Sequence, residues 1–170
     1  MKPHPIIKQI FQIDDHLVSP APQAPYASIN HQDSNGNTAL ITACSRSLSN
    51  SNAKVLQLIL HGADLNIQNH DGDTALMLAV KNRLSDAVET LVKHGARLDI
   101  KGYQGNTALK LACLTHDVRA VEILVEYKAD LDVLDQHGCT PLMRAIEQSH
   151  TDIAEMLIRA GADLNVQVQG

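Results

Sequence analysis

The chain has 170 residues, a formal net charge of −5 and four aromatic side chains, Phe11, Tyr26, Tyr103 and Tyr127, with no Trp. An acidic balance gives no electrostatic grip on nucleic acid, and so few rings give no platform on which bases could stack. No stretch is apolar over enough residues to cross a bilayer, so a soluble cytoplasmic protein is expected.

At the N-terminus, Lys8, Asp14 and Asp15 interrupt the apolar residues, unlike a secretory signal. Ile6, Ile7, Ile10, Phe11, Ile13, Leu17 and Val18 follow mostly helical spacing. Residues 1–18 are therefore expected to be a capping helix; the alternative is a partner-binding helix that swings free. Residues 19–32 follow as a connector, held extended at its start by Pro20, Pro22 and Pro25.

A fixed period then takes over. Gly-Asn-Thr-Ala-Leu at Gly36 to Leu40 returns in variant form at Gly72 to Leu76, Gly105 to Leu109 and Gly138 to Leu142. The glycines lie 36, 33 and 33 residues apart. His-Gly-Ala-Asp-Leu-Asn at His61 to Asn66 keeps step, returning from His94, Tyr127 and Ala160. Such a period marks a repeat solenoid, in which each unit buries its apolar face only against its neighbours. The frame is residues 33–68, 69–101, 102–134 and 135–167.

Each repeat reads as a polar turn and two helices. Thr38, Thr74, Thr107 and Thr140 can accept hydrogen bonds from the free amides of the helix that follows. Pro141 suits the first helical position. The first helices are predicted over Ala39 to Ser45, Ala75 to Asn82, Ala108 to Thr115 and Pro141 to Gln148. Second helices carry one apolar stripe each: Val55, Leu58 and Ile59; Val88, Leu91 and Val92; Val121, Leu124 and Val125; Ile153, Leu157 and Ile158. Gly62, Gly95 and Gly161 can close them in the left-handed conformation. Lys128 stands there in repeat three, where a side chain costs about 1 kcal/mol relative to Gly.

These elements, four times in register from Asp33 to Asn165, closely resemble the ankyrin repeat family. The resemblance implies an all-α helix-turn-helix solenoid with β-hairpin loops, here four repeats plus the N-terminal capping helix. This chain departs from the family pattern in several places. The usual His after Thr-Pro-Leu is replaced by Ile41, Met77, Lys110 and Met143, and the Gly between helices by Arg83, His116 and Ser149. Repeat one inserts three residues within Ser45 to Asn52. Arg144 replaces Leu78 and Leu111 of the preceding repeats, and its charge suggests that no further repeat packs there.

Searching for chemistry yields little. Nine histidines include His61 and His94 at matching places, but nothing completes the four converging ligands that zinc needs. No metal, cofactor or catalytic set is expected, and no phosphate loop or nucleophile motif occurs. Cys44 and Cys113 occupy one repeat position two repeats apart, roughly 20 Å if helices stack ~8–10 Å apart, too far for a disulfide. They read as buried small hydrophobes in a reducing compartment, whereas Cys139, on a hairpin, is open to being accessible.

The resemblance implies a non-catalytic protein-binding module, a monomer whose concave face of hairpin tips and first helices holds a protein partner. The hairpin positions are Ser34, Asn35 and Asn37; His70, Asp71 and Asp73; Tyr103, Gln104 and Asn106; Gln136, His137 and Cys139. First helices add Ser45, Arg46, Lys81, Asn82, Leu114, Thr115, Glu147 and Gln148. Repeat three is the expected hot spot, because Tyr103, Leu114, Tyr127 and Leu134 stand where repeat two has His70, Lys81, His94 and Lys101. The role is that of inhibitor, regulator or scaffold; a bacterial immunity protein or secreted effector on the same scaffold is the alternative. A remoter one is an enzyme or ligand sensor with a site between the N-terminal helix and repeat one, near His4, Asp14, Asp15, His16 and His31.

Overall fold

In a computed structural model, residues 28–45 and 51–167 are described. The expected N-terminal helix, most of the expected connector and Arg46, with the rest of residues 46–50, lie outside them. The described residues form eight α-helices and no strand. Their pairs are α1 (Ala39–Ser45) with α2 (Ser51–Leu60), α3 (Ala75–Lys81) with α4 (Ser85–Lys93), α5 (Ala108–Leu114) with α6 (Val118–Glu126), and α7 (Pro141–Glu147) with α8 (Thr151–Ala160). First helices stack on first helices and second on second, giving two layers. The array is an all-helical repeat solenoid.

The threonines start the first helices as the sequence predicts. Thr38, Thr74, Thr107 and Thr140 each accept from the amide three residues on, at 3.2–3.4 Å. Pro141 takes the first position of α7. Between the layers lie Leu40, Ile41, Leu58, Leu76, Met77, Leu91, Leu109, Ile123, Leu124, Ile153 and Leu157, all fully buried. Cys44 and Cys113 belong to this core, and burial pushes both thiols up to about 12.

The hairpins are tight turns rather than strand pairs. Asp33 N–H donates to the Asn37 carbonyl, Asn69 to Asp73, Gly102 to Asn106 and Asp135 to Cys139. Pairing then stops, because the chain turns at once into a helix. In three turns an Asx oxygen also gathers the amides: Asp33 Oδ1, Asn69 Oδ1 and Asp135 Oδ1 each accept two, at 2.8–3.0 Å. Repeat three has Gly102 at that place. A Cβ there would lie 2.9 Å from both the Gly72 carbonyl oxygen and Met77 Sδ, so a side chain would force these neighbours to shift. Without the side-chain acceptor the tip winds into a 3-10 turn, Tyr103–Gly105, with Gln104 at φ 58°.

Two ladders tie repeat to repeat. Asn30, Asn66, Asp99 and Asp132 each accept with Oδ1 from an amide of the next unit, those of Asp64, Arg97, Asp130 and Asp163, at 2.8–3.0 Å. Gln32 Nε2 donates to the Gly36 and Gln68 carbonyls, and Gln68 Nε2 to those of Gly72 and Lys101. The recurrent Ala-Asp-Leu-Asn element thus sets the stacking register.

Helix ends demand left-handed backbone. Gly62, Gly95 and Gly161 have φ of 84°, 90° and 97°, and Lys128 has φ 66°. Arg83, His116 and Ser149, between the helices of their repeats, have φ of 53–60°. Lys128→Gly is therefore expected to stabilise the fold by up to about 1 kcal/mol, read as a higher urea midpoint with an unchanged slope. A lower midpoint would show that Lys128 is not strained.

Candidate functional site

The hairpin tips and first helices share one side of the array. His70 and Asp71 project from the second tip, and the His70 amide donates to the Asn35 carbonyl at 3.0 Å. Asp73 is buried, at 5 % exposure, and its carboxylate takes Lys81 Nζ at 2.6 Å. These two therefore hold each other. Asn82 is half-buried, with Nδ2 donating to the carbonyls of Cys44 and Leu78, so it joins repeat two to repeat one. Thr115 Oγ1 donates back to the Leu111 carbonyl at 2.9 Å.

Repeat three presents the apolar part. Tyr103 is 68 % exposed on its 3-10 turn, with Gln104 exposed beside it. Asn106 Nδ2 donates to the Tyr103 carbonyl at 3.1 Å, bracing the tip. Half-buried Leu114 lines a cleft of about 200 Å³ with Gln104, Asn106, Asp135, His137 and Arg144. Across it, Gln136 Nε2 lies 3.0 Å from His137 Nε2, and the Gln136 amide donates to the Gln104 carbonyl at 3.0 Å. Tyr127 stands apart: it caps α6 in the layer of second helices. Leu134 is exposed in the link to repeat four.

The floor of the cleft is a charge network that the sequence did not announce. Asp135 Oδ2 accepts from Arg144 Nε and Nη2 at 2.9 and 2.8 Å, and lies 3.5 Å from Lys110 Nζ. Lys110 is wholly buried; its ammonium also donates to the carbonyls of Val133, at 3.0 Å, and Cys139. Arg144 reaches Glu147 at 2.8 Å. Burial alone would raise the Asp135 pKa, yet the Cys139 amide, Arg144, the His137 amide and Lys110 hold it down at about 2. Burial lowers the Lys110 pKa against the pull of Asp135. Both Asp135 oxygens are committed, so this group is not free to act as a base.

Three expectations change here. Cys139 is buried, at 9 % exposure, because the turn folds it under the tip. Arg144 faces the cleft between repeats three and four, so its charge does not mark the far end of the stack. The hairpins, as described above, lack strands. His61 and His94 are exposed, each with Nδ1 2.7 Å from a carbonyl one turn back in its own helix. Among the described residues no three His, Cys, Asp or Glu side chains are grouped to hold a metal, and no helix is long and apolar enough to cross a membrane.

Comparison with protein families agrees with this geometry. A family model described as ankyrin repeats (3 copies) matches residues 5–102 and again 98–168. No curated protein matches the chain. With nearly the whole length matched, the chain belongs to the ankyrin repeat family.

Proposed function

We propose that the chain grips a protein partner with the hairpin tips and first helices of repeats two to four, acting without catalysis as an inhibitor, regulator or scaffold. Ankyrin repeats are generally protein-protein interaction modules. The observation that carries the reading is Tyr103, 68 % exposed on a tip that packs closely against Gly72 through Gly102, beside the Leu114 cleft. An exposed ring near Leu114, ringed by Gln104, Gln136, His137 and Glu147, has the make-up of a small docking centre with a polar rim. Asp73 and Asn82 serve the fold, and we assign them no contact.

A photo-crosslinking residue at Tyr103 is expected to capture the partner in cells, whereas one at Glu122 in α6 is not. Capture from Glu122 alone would move the grip to the second helices and sink the proposal. Three cysteines with no disulfide among them support a cytoplasmic setting.

For residues 1–18 we propose a cap on repeat one, since the stripe from Ile6 to Val18 suits an open solenoid end. Deleting residues 1–25 is then expected to lower the melting temperature and promote aggregation. An unchanged melting temperature would make the segment a free arm.

A further inference from the structure

The outer face of α2 breaks a rule that the other three second helices keep. Positions 53, 56 and 60 share one side of the helix, three and four residues apart, away from the buried Val55 and Leu58. In repeats two to four the matching residues are Asp86, Glu89 and Lys93; Arg119, Glu122 and Glu126; Asp152, Glu155 and Arg159. Each set pairs within itself on the surface. Glu89 meets Lys93 at 2.6 Å, Glu122 meets Arg119 at 3.2 Å, and Glu155 meets Arg159 at 2.9 Å. Repeat one has Ala53, Leu56 and Leu60 instead; Ala53 is exposed, and the leucines are 37 % and 70 % exposed. This face is lateral, so its exposure owes nothing to where the stack begins or ends.

We infer that this face of α2 is the seat of the chain's own residues 6–18, which fold back and lay their apolar stripe on Ala53, Leu56 and Leu60. The inference rests on the reading of residues 1–18 as a cap, and names the surface that the cap covers. Pattern and position choose the occupant. Ile6, Ile10, Ile13 and Leu17 recur at the spacing of one helical face, long enough to run past all three positions. The described chain enters beside the end of α2, where Asn30 Oδ1 accepts the Asp64 amide at 2.8 Å. Residues 19–27 span at most about 30 Å, twice the ~15 Å length of α2, so this tether reaches any point along it. The leading end of repeat one, by contrast, is partly polar, with Thr42 and Gln57 where repeat three buries Leu111 and Ile123. A separate molecule is a poorer occupant. Three side chains fall far short of the ~800 Å² per partner that a stable complex buries, whereas a short tether holds its segment at a high effective concentration.

Amide hydrogen exchange on the full chain tests the contact. Residues 6–18 should exchange at least about ten-fold more slowly in the parent than in Leu56→Glu with Leu60→Lys. That variant installs the pair that repeat two carries as Glu89 and Lys93, and protection in α3 to α8 should not change. Ile10→Asp with Phe11→Asp should lower the melting temperature as much as the leucine pair does, and all four changes together should lower it no further. Fast exchange of residues 6–18 in the parent would make them a free arm, overturning the cap reading as well. Protection that survives the leucine variant would keep the cap and overturn only its seat on α2. Protection that disappears when the parent is diluted would make the occupant a second copy, and would overturn the inference too.

Discussion

Asp135→Ala is expected to destabilise the fold by about 3–5 kcal/mol, the usual cost of removing one partner from a buried ion pair. The carboxylate does three things at once. It gathers the amides of the last turn, neutralises Arg144 and lies against the ammonium of Lys110, which is buried completely. Its loss strands Lys110 on two carbonyl oxygens, with its charge uncompensated. The pH dependence has a definite sign. A folded pKa of about 2, below the ordinary 3.8, means a contribution of about 2 kcal/mol at neutral pH. It is present above pH 4 and lost as pH falls from about 4 through 2. Urea unfolding at pH 7 and pH 2.5 reads both effects, and Asp135→Ala should flatten the acid limb. The junction of repeats one and two shows the apolar solution, with Ile41, Asn69 and Leu78 where this one has Lys110, Asp135 and Arg144. Lys110→Met with Asp135→Asn and Arg144→Leu should therefore restore most of the stability that Asp135→Ala removes. A triple variant as weak as the single one would show that the charges are not the issue.

Most of the fold was legible because the repeats mark their own boundaries. Thr38, Thr74, Thr107 and Thr140 announce four helix starts, and Gly62, Gly95 and Gly161 announce three ends, each through a backbone requirement that few residues meet. Lys128 breaks that series and still adopts the left-handed conformation, so neighbouring structure outweighs its local preference. The first helix of repeat one ends at Ser45 as expected, whereas those of the other three stop one residue short of the expected ends, since Asn82, Thr115 and Gln148 are caps.

The floor of the candidate site was not legible. Lys110 and Arg144 both depart from the repeat pattern, but nothing local says that they converge. Only the stacking of repeat four on repeat three brings α5, the last hairpin and α7 onto Asp135. A signal did exist: a buried position turning from Ile41 and Met77 to Lys110 demands a carboxylate across the next junction. The burial of Cys139 is hidden for the same reason, because whether a turn residue points inward or outward depends on how the repeats stack. Asp73 looked like a tip residue until its pairing with Lys81, one helix later, drew it inside.

On the hairpin face, Tyr103→Ala together with Leu114→Ala is expected to weaken partner binding by at least about 2 kcal/mol, roughly thirty-fold in Kd. Two observations separate this from a folding defect. Tyr103 is mostly exposed, so truncation costs the core nothing, and Leu114 is the last residue of α5, where only half its surface is covered. The melting temperature should fall by no more than about 3 °C. The gain on docking comes from desolvating the ring and the leucine, while Gln104, Gln136 and His137 close round them and exclude water. Tyr127→Ala serves as the contrast. It removes a ring of the same kind from the same repeat, but from the layer of second helices, and should leave affinity within a factor of about two. If instead Tyr127→Ala abolishes binding and the double variant does not, the partner sits on the second helices. If Lys81→Ala alone matches the double variant, the grip centres on repeat two, where releasing the Asp73 carboxylate from the Lys81 ammonium would be the cause.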